Sequence, residues 1–328
     1  MCFEVILAHF WHSSDRNSPF LKPFSYTILW AVPVFMFAAF LLCGQAVIDR
    51  EHIRNRRRLH RLVMMHVLWA AIYFVFWLAA RLAGRGIFAD TSIPGMALSL
   101  AAQVFLGSTF NATMWFQADL IVITFAMCCL YSKLSGKIAV IITVLGMFAA
   151  FGMQYSGLNL RLFGRISYAS SKYTFGRICE MLPFACAGIL FVKSGVMEKL
   201  AKHRSTSIIV SVLCLLALHV LRRNGLLERP EGFGYQGVYL LMCAMCLTVI
   251  FWLFPLQALP ASMKKIIAGA SGLTPGIYCM HMLVVKCMQF AGWEHDSFFW
   301  CVEIFAVCMA VAFVLSKAAG RYGKYLVR

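Results

Sequence analysis

Arg54-Asn55-Arg56-Arg57-Arg58-Leu59-His60-Arg61 lies between two strongly apolar stretches, near Phe24–Gly44 and Arg61–Leu82. So many guanidinium groups cannot enter hydrocarbon, so the run marks a membrane surface, on the cytoplasmic side by the positive-inside bias. If the following helix begins near Arg57, then Arg54, Arg58 and Arg61 stand at i, i+4 and i+7. They form one stripe able to meet a polyanion arriving from the cytosol. Two readings stay open, a topology signal that touches only lipid headgroups and a clamp for a phosphorylated cofactor.

Hydrophobic residues make up 61% of the 328 and charged residues 13%, with no polar segment long enough for a separate soluble domain. Further stretches of roughly the 20 apolar residues a span needs recur near Thr113–Leu130, Ile138–Tyr155, Ile178–Val192, Ser207–Leu221, Val238–Pro255, Ile267–Phe290 and Phe298–Ser316, with a shorter one at Met1–Trp11. The expectation is an all-α, polytopic transmembrane helix bundle of about ten spans. It forms one domain over residues 1–328, with both termini cytoplasmic. In that arrangement the cytoplasmic loops and tail carry 17 Lys and Arg against 11 on the other side, the bias that sets topology.

The net charge of +17 is spread through short loops, which excludes a soluble basic module for nucleic acid. Arg161, Arg165, Arg222 and Arg223 fall on the outer side, as headgroup anchors or as a vestibule for an anion. The 13 cysteines are scattered, without zinc-type spacing or a secreted disulfide pattern, so no metal site is expected. No internal repeat supports a transporter of duplicated halves. Residues 93–110, opened by Pro94 and Gly95, suit a helix lying on the outer face. Met1–Trp11 is short for a span and lacks a basic flank, so the first helix is expected to extend upstream of Met1.

Ionisable residues inside spans are costly and mark function by default. Here they are Glu4, His9, His66, Asp119, Glu180, His219, His281 and Glu303. The ordinary pKa of imidazole suits proton transfer near neutral pH, which singles out His9, its alternative being a hydrogen bond to a neighbouring helix. Asp119 follows Met114-Trp115-Phe116, and Glu180 precedes Leu182-Pro183-Phe184, where a proline break would free backbone groups. Both carboxylates have the alternative of pairing with arginines between helices. Gly272 and Gly276 allow close helix packing within the bundle.

In order along the chain come Glu4–Phe10 ending near a histidine, Val32-Pro33-Val34-Phe35 with Ala39-Phe40-Leu41, and Arg58-Leu59-His60-Arg61. Met114-Trp115-Phe116, Leu182-Pro183-Phe184 with Gly188, and Gly276-Ile277-Tyr278-Cys279-Met280-His281 follow. This succession resembles the integral-membrane acyltransferase family 3, which includes bacterial O-acetyltransferases of surface polysaccharides. The resemblance covers nearly the whole chain. One departure is that a basic residue about three helical turns before the first-helix histidine falls ahead of Met1.

The resemblance implies transfer of an acyl group, usually acetyl, from acyl-CoA to a hydroxyl of a cell-surface or lipid-linked carbohydrate, by a multi-pass protein of the inner membrane. His9 is expected as general base or acyl carrier, and Arg58 and Arg61 as the clamp on the CoA phosphates. Tyr278, His281, Asp119 and Glu180 are expected to line the acceptor cavity or to tie helices together. No permanently bound cofactor is expected, acetyl-CoA or another acyl-CoA being a substrate. The competing readings are a polytopic carrier of a glycan or other anionic solute, and a polysaccharide polymerase.

Overall fold

Backbone in hydrocarbon must satisfy its own hydrogen bonds, so uninterrupted apolar stretches become helices. The computed structural model describes residues 2–10, 31–107, 109–155, 171–224, 233–255, 259–293, 298–318, 320 and 323–327, and among them every regular element is helical. In chain order these are α1 (Cys2–Phe10), α2 (Ala31–Ile48), α3 (His52–Leu82), α4 (Ile93–Leu106), a 3₁₀ turn at Ala112–Met114, α5 (Trp115–Lys133), α6 (Gly136–Tyr155) and α7 (Ser171–Ser194). Then come α8 (Val196–Lys202), α9 (Arg204–Arg223), α10 (Phe233–Leu253), α11 (Ala261–Phe290), α12 (Phe298–Ala318) and α13 (Gly323–Leu326). Among the described residues seven helices are long and apolar enough to cross a bilayer, or eight if the bent pair α7–α8 is one span. The sequence anticipates about ten; α1 and the described part of α10 at Val238–Leu253 are shorter than that length.

The cationic run belongs to α3, which begins at His52, ahead of the start expected near Arg57, and continues for 31 residues. At 1.5 Å per residue it is about 46 Å long, enough to cross hydrocarbon and project a charged turn or two beyond it. The turn before it is tight, with Arg50 at φ 59° and its guanidinium donating 2.7 Å to the carbonyl of Leu134 just past α5. A cation at a helix C-terminus is favourably placed against the helix dipole.

α2 is the hub and packs on α7, α10, α5, α3 and α1. Met36, Phe37 and Phe40 are fully buried in it, and one continuous apolar core runs from Cys2 to Val327. The α2–α7 approach is close because position 188 has no side chain. A Cβ there would lie 2.7 Å from the Phe37 carbonyl oxygen and 2.9 Å from the Phe40 Cβ. At the periphery, α6 and α9 turn Ile141, Leu145, Phe148, Ile209, Leu213 and Leu216 outward. Apolar faces of that extent belong against lipid.

One proline position behaves differently from expectation. The sequence places a break at Pro183, but α7 runs unbroken through it, and the chain bends by 63° at Gly195, which adopts φ 62°. A proline removes one donor and leaves the right-handed conformation intact, whereas a left-handed residue ends the helix. In α11, Pro275 also stays within the helix, and the exposed backbone polar groups beside it are taken by the two ends of the chain. The Cys2 thiol donates to the Thr274 carbonyl (3.4 Å), and the Gly276 N–H donates to the Val327 carbonyl (3.2 Å). A Cβ on Gly276 would lie 2.7 Å from the Val327 Cα, so its small size serves packing inside the bundle.

Gly188→Ala is expected to lower the thermal unfolding midpoint of the purified protein by the equivalent of ~1–3 kcal/mol. Gly146→Ala, whose Cβ meets nothing within 4 Å, should hold or raise it.

Candidate active site

Where α3 emerges against α2, the two helices enclose a cavity of about 810 Å³. Its wall is Leu42, Cys43 and Ala46 from α2, and Ile53, Arg54, Asn55, Arg56, Arg57, Arg58, His60 and Arg61 from α3, closed by Tyr325 of α13. The stripe expected from the i, i+4, i+7 spacing is present on one helix, and Arg56 and Arg57 join it. Its members differ in freedom. Arg54 is exposed and paired with Glu51 at 3.5 Å, while Arg61 is exposed. Arg58 is half-buried and reaches across to donate 3.2 Å to the Ala39 carbonyl on α2. Asn55 does the same to the Ala46 carbonyl at 2.9 Å. These bonds fix the α2–α3 spacing and therefore the width of the cavity. The His60 and Tyr325 rings meet edge-on, centroids 6.0 Å apart.

Further along the same α2–α3 cleft lies a second chamber of about 160 Å³. It is walled by Phe35 and Ala39 (α2), Leu62 and Met65 (α3), Phe116, Gln117 and Leu120 (α5), and Thr274, Pro275, Tyr278 and Cys279 (α11). The rings of Phe35, Phe116 and Tyr278 contact one another with centroids 5.6 to 6.5 Å apart. Arg58 stands where the two spaces meet, since its own side chain lines the first and its acceptor residue Ala39 lines the second. The site thus sets a cationic cavity beside a small apolar chamber on the same two helices, the first suited in chemistry to phosphate groups and the second to a compact apolar group.

A family model described as an acyltransferase domain, that of acyltransferase family 3, matches residues 1–318. The chain belongs to this family. No curated protein and no solved structure matches it.

The other residues expected in this membrane acyltransferase are distributed unevenly about the site. His9 lies on α1, and its side chain, like that of Glu4, falls outside the described residues. Tyr278 lines the apolar chamber, and its hydroxyl donates to the Thr113 carbonyl. His281 is buried one turn further on, its Nδ1 2.6 Å from the Tyr278 carbonyl, which puts the proton on that nitrogen. It is absent from the chamber wall.

Asp119 is fully buried, is absent from the chamber wall, and forms an ion pair with Arg177 of α7, 3.5 Å away. Arg177 also donates 2.9 Å to the Leu106 carbonyl and lies over the Trp115 ring at 5.1 Å. Glu180, one turn along α7, is within electrostatic reach of the same guanidinium. The two carboxylates therefore flank one arginine that the sequence alone does not single out, although Arg177 and Glu180 three residues apart in an apolar helix are its trace.

His66 is one of the ionisable residues that the sequence places inside a span. It is buried on α3 with Nε2 at 3.2 and 3.1 Å from the carbonyls of Gln103 and Val104. Carbonyls only accept, so Nε2 carries the proton and Nδ1 is the basic atom. These bonds hold the end of α4 against α3. Gln103 in turn binds the following loop, accepting from the N–H groups of Thr109 (2.8 Å) and Asn111 (3.0 Å).

Removing one partner of the buried pair leaves an uncompensated charge. Arg177→Met is expected to destabilise the protein by ~3–5 kcal/mol. The double variant Arg177→Met/Asp119→Leu should recover most of that loss in thermal unfolding of the purified protein.

Proposed function

We propose that this acyltransferase moves a short acyl group, acetyl in the first instance, from acyl-CoA to a hydroxyl of a cell-surface or lipid-linked carbohydrate at the bacterial inner membrane. The observation that supports the donor reading is the convergence of Arg54, Arg56, Arg57, Arg58 and Arg61 on one cavity, with an apolar chamber on the same two helices. CoA combines a phosphate-rich nucleotide, which guanidinium groups hold by charge-assisted hydrogen bonds, with a slender arm ending in the thioester. A lipid headgroup signal alone needs neither the enclosure nor the inward turn of Arg58.

In the direct route His9 accepts the proton of the acceptor hydroxyl as its oxygen bonds to the thioester carbonyl carbon. The C–S bond breaks, and the CoA thiolate takes up a proton. In the two-step route the acyl group passes first to the imidazole and then to the hydroxyl. Arg58 and Arg61 hold the donor phosphates in both routes. The carbohydrate acceptor is what the family resemblance implies, and in this reading Tyr278, on the wall of the apolar chamber, contacts the transferred group. The alternative reading, a carrier of an anionic solute, leaves acyl-CoA unconsumed.

Proton NMR of surface polysaccharide from a deletion strain and its complemented counterpart tests the function. An acetyl methyl signal restored by complementation and lost on mild alkali is the expected result. Equal ester content in both strains, with the protein confirmed in the membrane, overturns it.

His9→Ala should lower transfer by on the order of 10²–10⁴ while the protein still accumulates. Arg58→Ala and Arg61→Ala should weaken acyl-CoA binding, measured by titration of the purified protein, and reduce its salt dependence.

A further inference from the structure

The apolar chamber stands apart from the arginine-lined vestibule in chemistry and size, and it can be assigned separately. We infer that it is the seat of the donor's acyl chain and that its volume limits the chain to about six carbons. This rests on the acyl-CoA reading of the vestibule.

Three observations carry the assignment. First, the chamber lies in the same α2–α3 cleft as the vestibule, and Arg58, the vestibule's inward guanidinium, binds the carbonyl of Ala39 on the chamber wall. A molecule anchored by phosphates among the arginines therefore directs its far end there. Second, the wall carries no charged side chain, and several of its polar groups are turned to protein partners. The Tyr278 hydroxyl binds the Thr113 carbonyl, the Cys279 thiol donates 3.3 Å to Gln117 Oε1, and the Thr274 carbonyl accepts from Cys2. A sugar hydroxyl or a carboxylate gains little in such a place, whereas methylene groups gain their transfer free energy. Third, the volume of about 160 Å³ is close to that of an apolar protein cavity of about 150 Å³ that accommodates benzene, a six-carbon ring. A lipid tail is far too long for it, and an acetyl group leaves most of it empty.

Ala39 sets one boundary, because any longer side chain at that position fills the space, and Phe116 sets another from α5. The experiment is a titration of the purified full chain in lipid nanodiscs with unacylated CoA and with acetyl-, butyryl-, hexanoyl- and octanoyl-CoA. Each variant is scored by the ratio of its own acyl-CoA and CoA affinities. In the wild type the ratio is expected to rise up to about fourfold for each buried CH₂, the equivalent of ~0.8 kcal/mol, and to stop rising or fall between hexanoyl and octanoyl. Ala39→Leu should flatten the series so that butyryl- and hexanoyl-CoA lose their advantage over CoA. Phe116→Ala should shift the limit towards octanoyl.

A wild-type ratio that does not change with chain length overturns the assignment, as does one that climbs steadily through octanoyl as simple membrane partitioning does. A Ala39→Leu series that matches the wild type, in a variant that still binds CoA, overturns it too. Failure of the wild type to bind even unacylated CoA overturns the donor reading itself, and the chamber assignment with it.

Discussion

Polar groups between these helices depend on partners inside the protein, because hydrocarbon supplies none. That constraint organises the interior. The Arg177 guanidinium is held by Asp119, the Leu106 carbonyl and the Trp115 ring, His66 is held by two carbonyls of α4, and Tyr278 is held by the loop ahead of α5. Each bond joins helices that are distant in sequence, so the polar residues fix relative positions that apolar packing alone leaves loosely specified. Both ends of the described chain serve the same purpose at Pro275, where Cys2 and Val327 satisfy the backbone of α11.

The same constraint shapes the site. At the projecting end of α3 the arginines have water on one side and α2 on the other. Arg58 turns inward to a main-chain carbonyl, while Arg54 and Arg61 remain exposed. The α2–α3 cleft thus runs from solvated guanidinium groups through a tethered one to an apolar chamber. The family assignment rests on a match over residues 1–318, and the cavity on the packing of α2 against α3.

Much of this was legible in the residues. The arginine stripe follows from helical periodicity, and the boundaries of α9 and α12 follow from the apolar stretches to within a few residues, while α3 and α11 start earlier because polar and charged turns continue each helix. Gly276 signalled close approach, whereas the approach at Gly188 emerged only from the packing of α7 on α2. Pro183 misled, because proline lowers helix stability without forbidding the conformation, and the true bend fell at Gly195. The partnership of Arg177 with Asp119 was not legible, since a pair across two helices leaves no spacing pattern in either one.

By itself the sequence determined the class of protein, its helical spans, the cationic turn and the family, because hydrophobic length, charge and local motifs are properties of contiguous residues. Only the tertiary structure decided which arginine faces inward, which carboxylate is neutralised, and that Ala39, Leu62, Phe116 and Tyr278 enclose one small chamber. Those facts depend on how four helices rotate and pack against one another. Rotation is set by the sum of many distant contacts, which no single stretch of the chain encodes.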